Sequence, residues 1–319
     1  MYQYRVTAFN ASGAATSNIV TVGPLDVTAP TVSATVSPAP NAAGWSNGAT
    51  TVTLTAVDPI DPLAPWLTSG VASITYSLDG GVTNTTVAGS TVVLPSTTFP
   101  EGMTTITFFA TDQAATPNVS APQTEIINLD NTLPTLAWGP KTPAANTAGW
   151  NNTPVSISYT TADSLSGVAS STPASPVTFA AQGANQTQVV TVTDVAGNTL
   201  SSTSPTVSID LIAPTVTALA TPASANRGGG TTTVRVTGNV ADLLPGSGLV
   251  TPGTWRLTDS KSTAVVTGNY TPNAAGAYTI QRNISRNNNG NTVRVYTFTV
   301  TAADNAGNTS TATTTFTVR

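Results

Sequence analysis

The 319-residue chain contains no cysteine and no histidine, and only 8% of its residues are charged. An average soluble protein carries roughly 25% charge, so something else must make this surface polar. Each absence removes a class of chemistry. Without His or Cys there is no Ser-His-Asp or Cys-His nucleophilic site. Zinc, copper, haem and iron–sulfur clusters lose their usual ligands. No disulfide framework can form, although that alone does not fix the compartment. Ten Lys+Arg against 14 Asp+Glu give no electrostatic footprint for nucleic acid. No apolar run approaches the roughly 18 residues of a membrane span. What replaces charge is hydroxyl: about one residue in five is threonine, a β-branched residue that favours strands. Composition therefore points to an all-β protein.

The chain begins without a basic segment followed by an apolar one, so no signal peptide is read there, and a processed polypeptide or a piece of a longer one is expected. Tyr2, Tyr4, Val6 and Ala8 alternate with Gln3, Arg5 and Thr7, the pattern of a half-buried strand. Turn residues Asn10-Ala11-Ser12-Gly13 follow, and a second strand runs over Thr16 to Val22. The segments 2–13 and 17–22 resemble the last two strands of a fibronectin type III domain. A hairpin alone is marginal in water, so it marks either the remnant of a larger domain or a ribbon that completes a sheet in another chain.

Beyond residue 24 one plan occurs three times. Asp26-Val27-Thr28-Ala29-Pro30-Thr31, Asp130-Asn131-Thr132-Leu133-Pro134-Thr135 and Asp210-Leu211-Ile212-Ala213-Pro214-Thr215 are copies of one junction, and each Pro favours an extended approach that ends the previous pairing. A strand and a turn come next. The turn is nearly identical in Pro38–Trp45 and Pro143–Trp150, while the third copy, Pro222–Gly229, has lost the Trp. Alternating strands at 51–57, 155–161 and 233–240 close on Asp58, Asp163 and Asp242, followed by Ser69-Gly70, Ser166-Gly167 and Ser247-Gly248. Late hairpins open on Asp112, Asp194 and Asp304 and end on Asn118, Asn198 and Asn308. Short strands at this spacing are the signature of β-sandwiches, and no segment has a helical period.

These motifs, the Asp-x-x-x-Pro-Thr junction, the Gly-Trp turn, the Asp…Ser-Gly step and the Asp-x-Ala-Gly-Asn hairpin, resemble bacterial immunoglobulin-like repeats of surface proteins and adhesins. The resemblance implies tandem immunoglobulin-like β-sandwiches in an elongated rod: a hairpin over 1–24, then modules over 25–129, 130–209 and 210–319. In such a sandwich the entering linker, the loop after the second strand and the loop between the last two strands share one end. Three trios should therefore converge: Asp26, Asp58 and Asp112; Asp130, Asp163 and Asp194; Asp210, Asp242 and Asp304. They account for nine of the chain's twelve aspartates. Grouped carboxylates repel unless neutralised, and hard oxygen ligands without His or Cys suit Ca2+, with Asn118, Asn198 and Asn308 as further ligands. Members of the resembling families use calcium to stiffen junctions. The other reading is that each Asp caps its own turn through Asx hydrogen bonds, with no metal.

Trp45 and Trp150 read as packing on the edge of their own sandwich and Trp138 and Trp255 as core, while Trp66, in an insertion unique to the first repeat, reads either as a packing residue or as an exposed carbohydrate-stacking or partner-contact residue. No carboxylate pair stands out as an acid/base couple. The expected function is a non-enzymatic extracellular stalk of a bacterial cell-surface adhesin. Its partners are neighbouring modules or further copies of itself, with a surface glycan or protein as ligand, and neither nucleic acid nor a membrane span. Two rivals remain: a filament subunit that polymerises through the N-terminal hairpin, and an accessory carbohydrate-binding region of a secreted polysaccharide-degrading enzyme.

Overall fold

The structure, a computed structural model, describes residues 2–22, 26–60, 68–287 and 292–319; Trp66 lies outside them. Among the described residues the only helical element is a 3-10 turn at Ser96–Thr98, and everything regular besides is strand. No helix is long and apolar enough to cross a membrane.

The first repeat shows how alternation becomes architecture. In Thr51–Val57 the residues Val52, Leu54 and Ala56 point inward and are buried, while the threonines between them face outward. That strand pairs antiparallel with Thr31–Ser37 on one side and Thr91–Leu94 on the other. A five-stranded sheet carries, in order, Trp45–Ser46, Gln123–Leu129, Gly102–Asp112, Val71–Ser77 and Thr85–Ala88. Its inward residues Ile74, Ile106, Phe108, Ala110, Ile127 and Leu129 join Val52, Leu54 and Ala56 in one buried cluster. Short Trp45–Ser46 runs parallel to Asn128–Leu129, so the chain passes from the first sheet, which holds Thr31–Ser37, to the edge of the second. This strand order is that of an immunoglobulin-like sandwich.

The third repeat has the same order with longer strands. Thr231–Ala241 pairs with Thr215–Val216, Leu219–Thr221 and Ala277–Ser285. The second sheet runs Ser224–Ala225, Thr309–Val318, Arg294–Ala303, Gly253–Asp259, Ser262–Tyr270. Its core is more aromatic: Trp255, Tyr270, Tyr278, Tyr296, Phe298 and Phe316 are all buried in one cluster. Burial pushes the Tyr278 hydroxyl up to about 12, with Tyr270 beside it adding a smaller push. In the second repeat Val155–Ile157 pairs with Val177–Phe179, and Asn151 bridges in parallel to Ile209.

Contacts group the chain into two compact units. One comprises Met1–Thr135 with Thr161–Ser170 and Val192–Leu200; the other comprises Leu136–Thr160, Ser171–Thr191 and Ser201–Arg319.

Two sequence expectations need correction. In the N-terminal ribbon Thr7–Asn10 pairs with Gly13–Thr16, and Tyr2–Tyr4 with Val20–Val22. The burial of Tyr2 and Tyr4 lies outside what is described, and the rest of the expected half-buried face is uncovered: of residues 5–19 only Thr7 is partly covered, and Val6 and Phe9 are 70% and 79% exposed. A two-stranded ribbon lacks a second layer to cover either face. Among the described tryptophans Trp138, expected in the core, is half-buried, with its indole N–H donating to Ser202 Oγ at 3.0 Å; Trp255 is core as expected, and Trp45 and Trp150 are half-buried, as edge packing requires.

Candidate metal centres

Each site begins with a short local device. The junction aspartate accepts, through Oδ1, the N–H two residues ahead: Thr28 to Asp26 at 3.0 Å, Thr132 to Asp130 at 2.9 Å and Ile212 to Asp210 at 3.1 Å. The hairpin aspartate does the same across its turn. Asp112 Oδ1 accepts from Ala114 N and Asn118 N, Asp194 Oδ1 from Gly197 N and Asn198 N, and Asp304 Oδ1 from Asn308 N. These are the expected Asx caps.

The Ser-Gly pair then ties two aspartates together. Ser69 N donates to Asp26 Oδ2 (2.9 Å) while Gly70 N donates to Asp58 Oδ2 (2.7 Å). The second site repeats this with Ser166 N to Asp130 (3.0 Å) and Gly167 N to Asp163 (2.8 Å). In the third, Ser247 N reaches Asp210 (2.7 Å) and Gly248 N reaches Asp242 (2.6 Å). Aiming consecutive N–H groups at two carboxylates bends the backbone into the left-handed region: φ is +81° at Gly70, +83° at Gly167 and +83° at Gly248. Only glycine adopts that conformation without cost, which is why the pair is Ser-Gly each time.

The trios predicted from sequence do converge. In each, one oxygen from every aspartate lies within 4.8 Å of the others. Asp26, Asp112, Asp130, Asp194, Asp210 and Asp304 are buried, with Asp130 and Asp210 fully inaccessible; Asp58, Asp163 and Asp242 are half-buried. The three asparagines take a different part from the one expected. Asn118, Asn198 and Asn308 turn their amide nitrogen inward, donating to the junction aspartate's carbonyl oxygen (3.1, 2.9 and 2.8 Å) and to the hairpin aspartate's Oδ2 (2.7, 2.8 and 2.8 Å). A nitrogen facing inward braces the carboxylate and ligates nothing.

One oxygen per site stands outside this lattice. Asp58 Oδ1, Asp163 Oδ2 and Asp242 Oδ1 are buried and have no hydrogen-bond partner. A buried carboxylate oxygen without a donor is costly, and here it faces two further carboxylates. Electrostatics follow the same division. The N–H groups of Thr28 and Ser69 hold the Asp26 carboxyl below the usual carboxylate range. Burial, and after it the charges of Asp210 and Asp304, push the Asp242 carboxyl above that range. Calcium–oxygen bonds of 2.3–2.6 Å allow two ligands of one ion to sit up to about 5 Å apart, so the spread of each trio suits that ion. A proton on the middle aspartate would answer the same imbalance.

Sequence reasoning missed a contact that reaches each of the later two sites from the preceding repeat. The Asn-x-x-Gly-Trp turn folds around its own asparagine: Asn41 Oδ1 accepts from Ala43 N and Trp45 N, and Asn146 Oδ1 from Ala148 N and Trp150 N. This fixes the amide so that its nitrogen points outward. Asn41 Nδ2 donates to Val195 O (2.7 Å), and Asn146 Nδ2 to Asn305 O (2.8 Å), each inside the following repeat's Asp-x-Ala-Gly-Asn hairpin. The signal was in the sequence, as the near-identity of two turns that had no local reason to match.

No family model matches this chain, and no curated protein matches it. Solved structures do. The chain is similar to a 1.5-MDa bacterial ice-binding adhesin, with 18% identity, a TM-score of 0.35, and 92% of this chain and 99% of that one covered. It is also similar to a tetra-tandem repeat from the extending region of a large adhesion protein: 19% identity, TM-score 0.31, coverage 99% and 80%. A third similar structure is the protocadherin gammaB7 EC3-6 cis-dimer, at 15% identity and TM-score 0.32, with 99% and 84% covered. The all-β, immunoglobulin-like character of the repeats rests on their own strand order.

Proposed function

We propose that this chain is a non-enzymatic extracellular stalk segment, three immunoglobulin-like modules over 25–129, 130–209 and 210–319, of a bacterial surface adhesin, with joints held by calcium. The observation that carries the calcium reading is the orphaned oxygen, Asp58 Oδ1, Asp163 Oδ2 or Asp242 Oδ1, left at the same place in all three trios. Turn capping accounts for the other carboxylates and leaves this atom unexplained. Calcium would be held by the middle aspartate's free oxygen and by the remaining lone pairs of its two neighbours. It would neutralise the trio that anchors the Asp-x-x-x-Pro linker and the late hairpin, to which the preceding repeat's asparagine is bonded in the second and third cases. The joint would then be braced from both sides, as a stalk that presents a glycan- or protein-binding part away from the cell requires.

The test is thermal unfolding of the whole chain, with 2 mM calcium and with chelator. At 100 times the dissociation constant a single-site ligand adds about 2.7 kcal/mol, so the first transition should move upward by several degrees and revert on chelation. An unchanged profile would reduce the trios to protonated turn caps.

The N-terminal ribbon supports a second reading, a filament subunit. Its exposed Val6 and Phe9 and its uncovered faces suit a ribbon that packs on another copy. Concentration-dependent assembly that disappears when residues 1–24 are removed would favour it.

A further inference from the structure

Asn47 is followed by Gly48, the one Asn-Gly pair among the described residues; the chain's other, Asn289-Gly290, lies outside them. Glycine has no Cβ to shield its backbone nitrogen or to restrict its approach, and that nitrogen is the nucleophile nearest in sequence to the asparagine's side-chain carbonyl carbon. Both residues are exposed. They lie between the short strand Trp45–Ser46 and the long strand Thr51–Val57, in neither ladder. The Gly48 carbonyl oxygen accepts from Thr50 Oγ1 at 3.1 Å, while no hydrogen bond among the described residues holds the Gly48 N–H or the Asn47 amide nitrogen.

The same position in the second repeat is Asn152, which Thr153 follows. The two asparagines are matched in place. Ser46 O accepts from Asp130 N and Asn151 O from Asp210 N, both at 2.9 Å, so each asparagine comes directly after the residue that holds the next repeat's junction aspartate. Each also lies against the glycine of that repeat's Asp-x-Ala-Gly-Asn hairpin. A Cβ on Gly197 would stand 3.3 Å from Asn47 Nδ2, and one on Gly307 3.9 Å from Asn152 Nδ2. Asn152 is exposed as well, but the β-branched side chain of Thr153 crowds the nitrogen after it.

We propose that Asn47 is a site of spontaneous deamidation, and that the modification loosens the contact between the first repeat and the second repeat's late hairpin. The Gly48 nitrogen gives its proton to solvent and bonds to Asn47 Cγ. The Cγ–Nδ2 bond breaks, and Nδ2 takes up a proton and leaves as ammonia. Water then opens the resulting five-membered imide at one of its two carbonyls. The product is aspartate, or a β-linked aspartate in which the main chain runs through Cβ and Cγ. Only water is consumed.

Either product puts a carboxylate where a neutral amide met Gly197. The Gly197 N–H donates to Asp194 Oδ1 at 2.7 Å, and the Asp194 carboxylate is buried, so the new charge arrives beside a hairpin that already holds one. Like charges brought together repel. Few bases are at hand to offset it: residues 1–209 carry ten acidic side chains against Arg5 and Lys141, whereas residues 210–319 carry four against Lys261 and seven arginines. The β-linked product also lengthens the path between Ser46 and Gly48 by a backbone carbon, next to the carbonyl that holds Asp130 N. This inference goes beyond the proposed function and needs no calcium. It is therefore measured in chelator as well as in calcium, so that either idea fails without the other.

The experiment ages the full chain at 37 °C, at pH 6 and at pH 8, and maps its proteolytic peptides by mass spectrometry. Asn47 should convert to both aspartate forms on the order of tenfold faster than Asn152, because its neighbour lacks a Cβ. Conversion should be faster at pH 8, since the attacking nitrogen must lose its proton. Gly48→Ala should slow it severalfold; alanine fits there, because nothing lies within 4 Å of the added Cβ and φ is not left-handed. In the aged chain amide exchange should quicken at 194–198 and stay as it was at 304–308. Asn47→Asp supplies the charge at once and should quicken the same hairpin without ageing, while aged Asn47→Gln should keep it protected. An intact Asn47, conversion no faster than at Asn152, or full conversion with exchange at 194–198 unchanged would overturn the proposal.

Discussion

The two ends of a repeat follow different rules. The end that carries the aspartates is built identically three times, down to the Ser-Gly donors, the left-handed glycine and the middle oxygen without a partner. The opposite end is built alike twice, as an Asn-x-x-Gly-Trp turn, and then replaced by an arginine-bearing glycine loop. The first end is buried and closed, so every member depends on the others and none can change alone. The second is exposed, and its turn reaches the next repeat through the side-chain nitrogen of one asparagine, so the turn can be exchanged. Invariance marks the joint, and variation marks where partners differ.

The largest expected effect separates the three aspartates within one site. Asp130→Ala strips a fully buried acceptor from Thr132 N and Ser166 N. Removing the buried acceptor of two part-buried bonds should cost about 1–3 kcal/mol, read as a fall in melting temperature with or without calcium. Asp163→Asn should behave differently: the amide oxygen still accepts from Gly167 N while the charge that lacked a donor disappears. In chelator the variant should match or exceed the parent, and in calcium it should lose the parent's upward shift. If both variants respond alike to calcium, the division between lattice and ligand is wrong.

A smaller effect tests the glycine. Gly167→Ala places a Cβ at φ +83° with nothing within 4 Å of it, so the cost is conformational and about 1 kcal/mol. Denaturant titration should show it, and Ala at Gly139, where a Cβ would sit 2.7 Å from Ser158 Oγ and 3.1 Å from Ser158 O, should cost more, by collision. Smaller again is the contact from the opposite end. Asn146→Asp keeps the oxygen that caps its own turn and loses the nitrogen that donates to Asn305 O. A loss of about 1 kcal/mol is expected, seen as faster amide exchange in the 304–308 hairpin with no change in the turn at 146–150.

The pH response distinguishes the ends last. Asp242 has its folded pKa raised, so the folded state holds its proton more tightly. The contribution of Asp242 is therefore fully present below the ordinary carboxylate value of 3.8 and is lost as pH rises through the raised one. Calcium should remove that loss. Asp259 has its pKa lowered, chiefly by hydrogen bonds from Arg294. Its contribution is present above 3.8 and fades as pH falls through the lowered value. Arg294→Gln should therefore lower stability at neutral pH and flatten the acid limb, the variant and parent converging as pH falls through the lowered value.

Much of this was legible in sequence because repetition supplied the comparison. Alternating Val and Thr gave the strands, and the three aspartate positions gave the trios. The hydrogen-bond directions were not legible: nothing in Asp-x-Ala-Gly-Asn says that the asparagine turns its nitrogen inward, since one residue type offers both a donor and an acceptor. Nor does the alternation of Val6 and Ala8 reveal that no second layer covers them. The basic character of the third repeat was readable, because the charge asymmetry needs only counting by repeat. Summing over the whole chain hid it.

The placement of the bonds also sets how this protein can change in length. All three aspartates, the Ser-Gly pair and the bracing asparagine of a site fall inside one sequence period, while bonds such as Asn41 to Val195 O, Asn146 to Asn305 O, Thr132 Oγ1 to Glu101 and Gln182 Nε2 to Pro245 O cross a boundary. The compact units of the chain are divided elsewhere, within the second repeat. Copying or deleting a whole period from one junction aspartate to the next would leave the bonds within every trio intact and would change only the contacts made across a boundary. The number of modules can thus change by recombination in whole steps, while the third module, with its different loop, keeps its own chemistry.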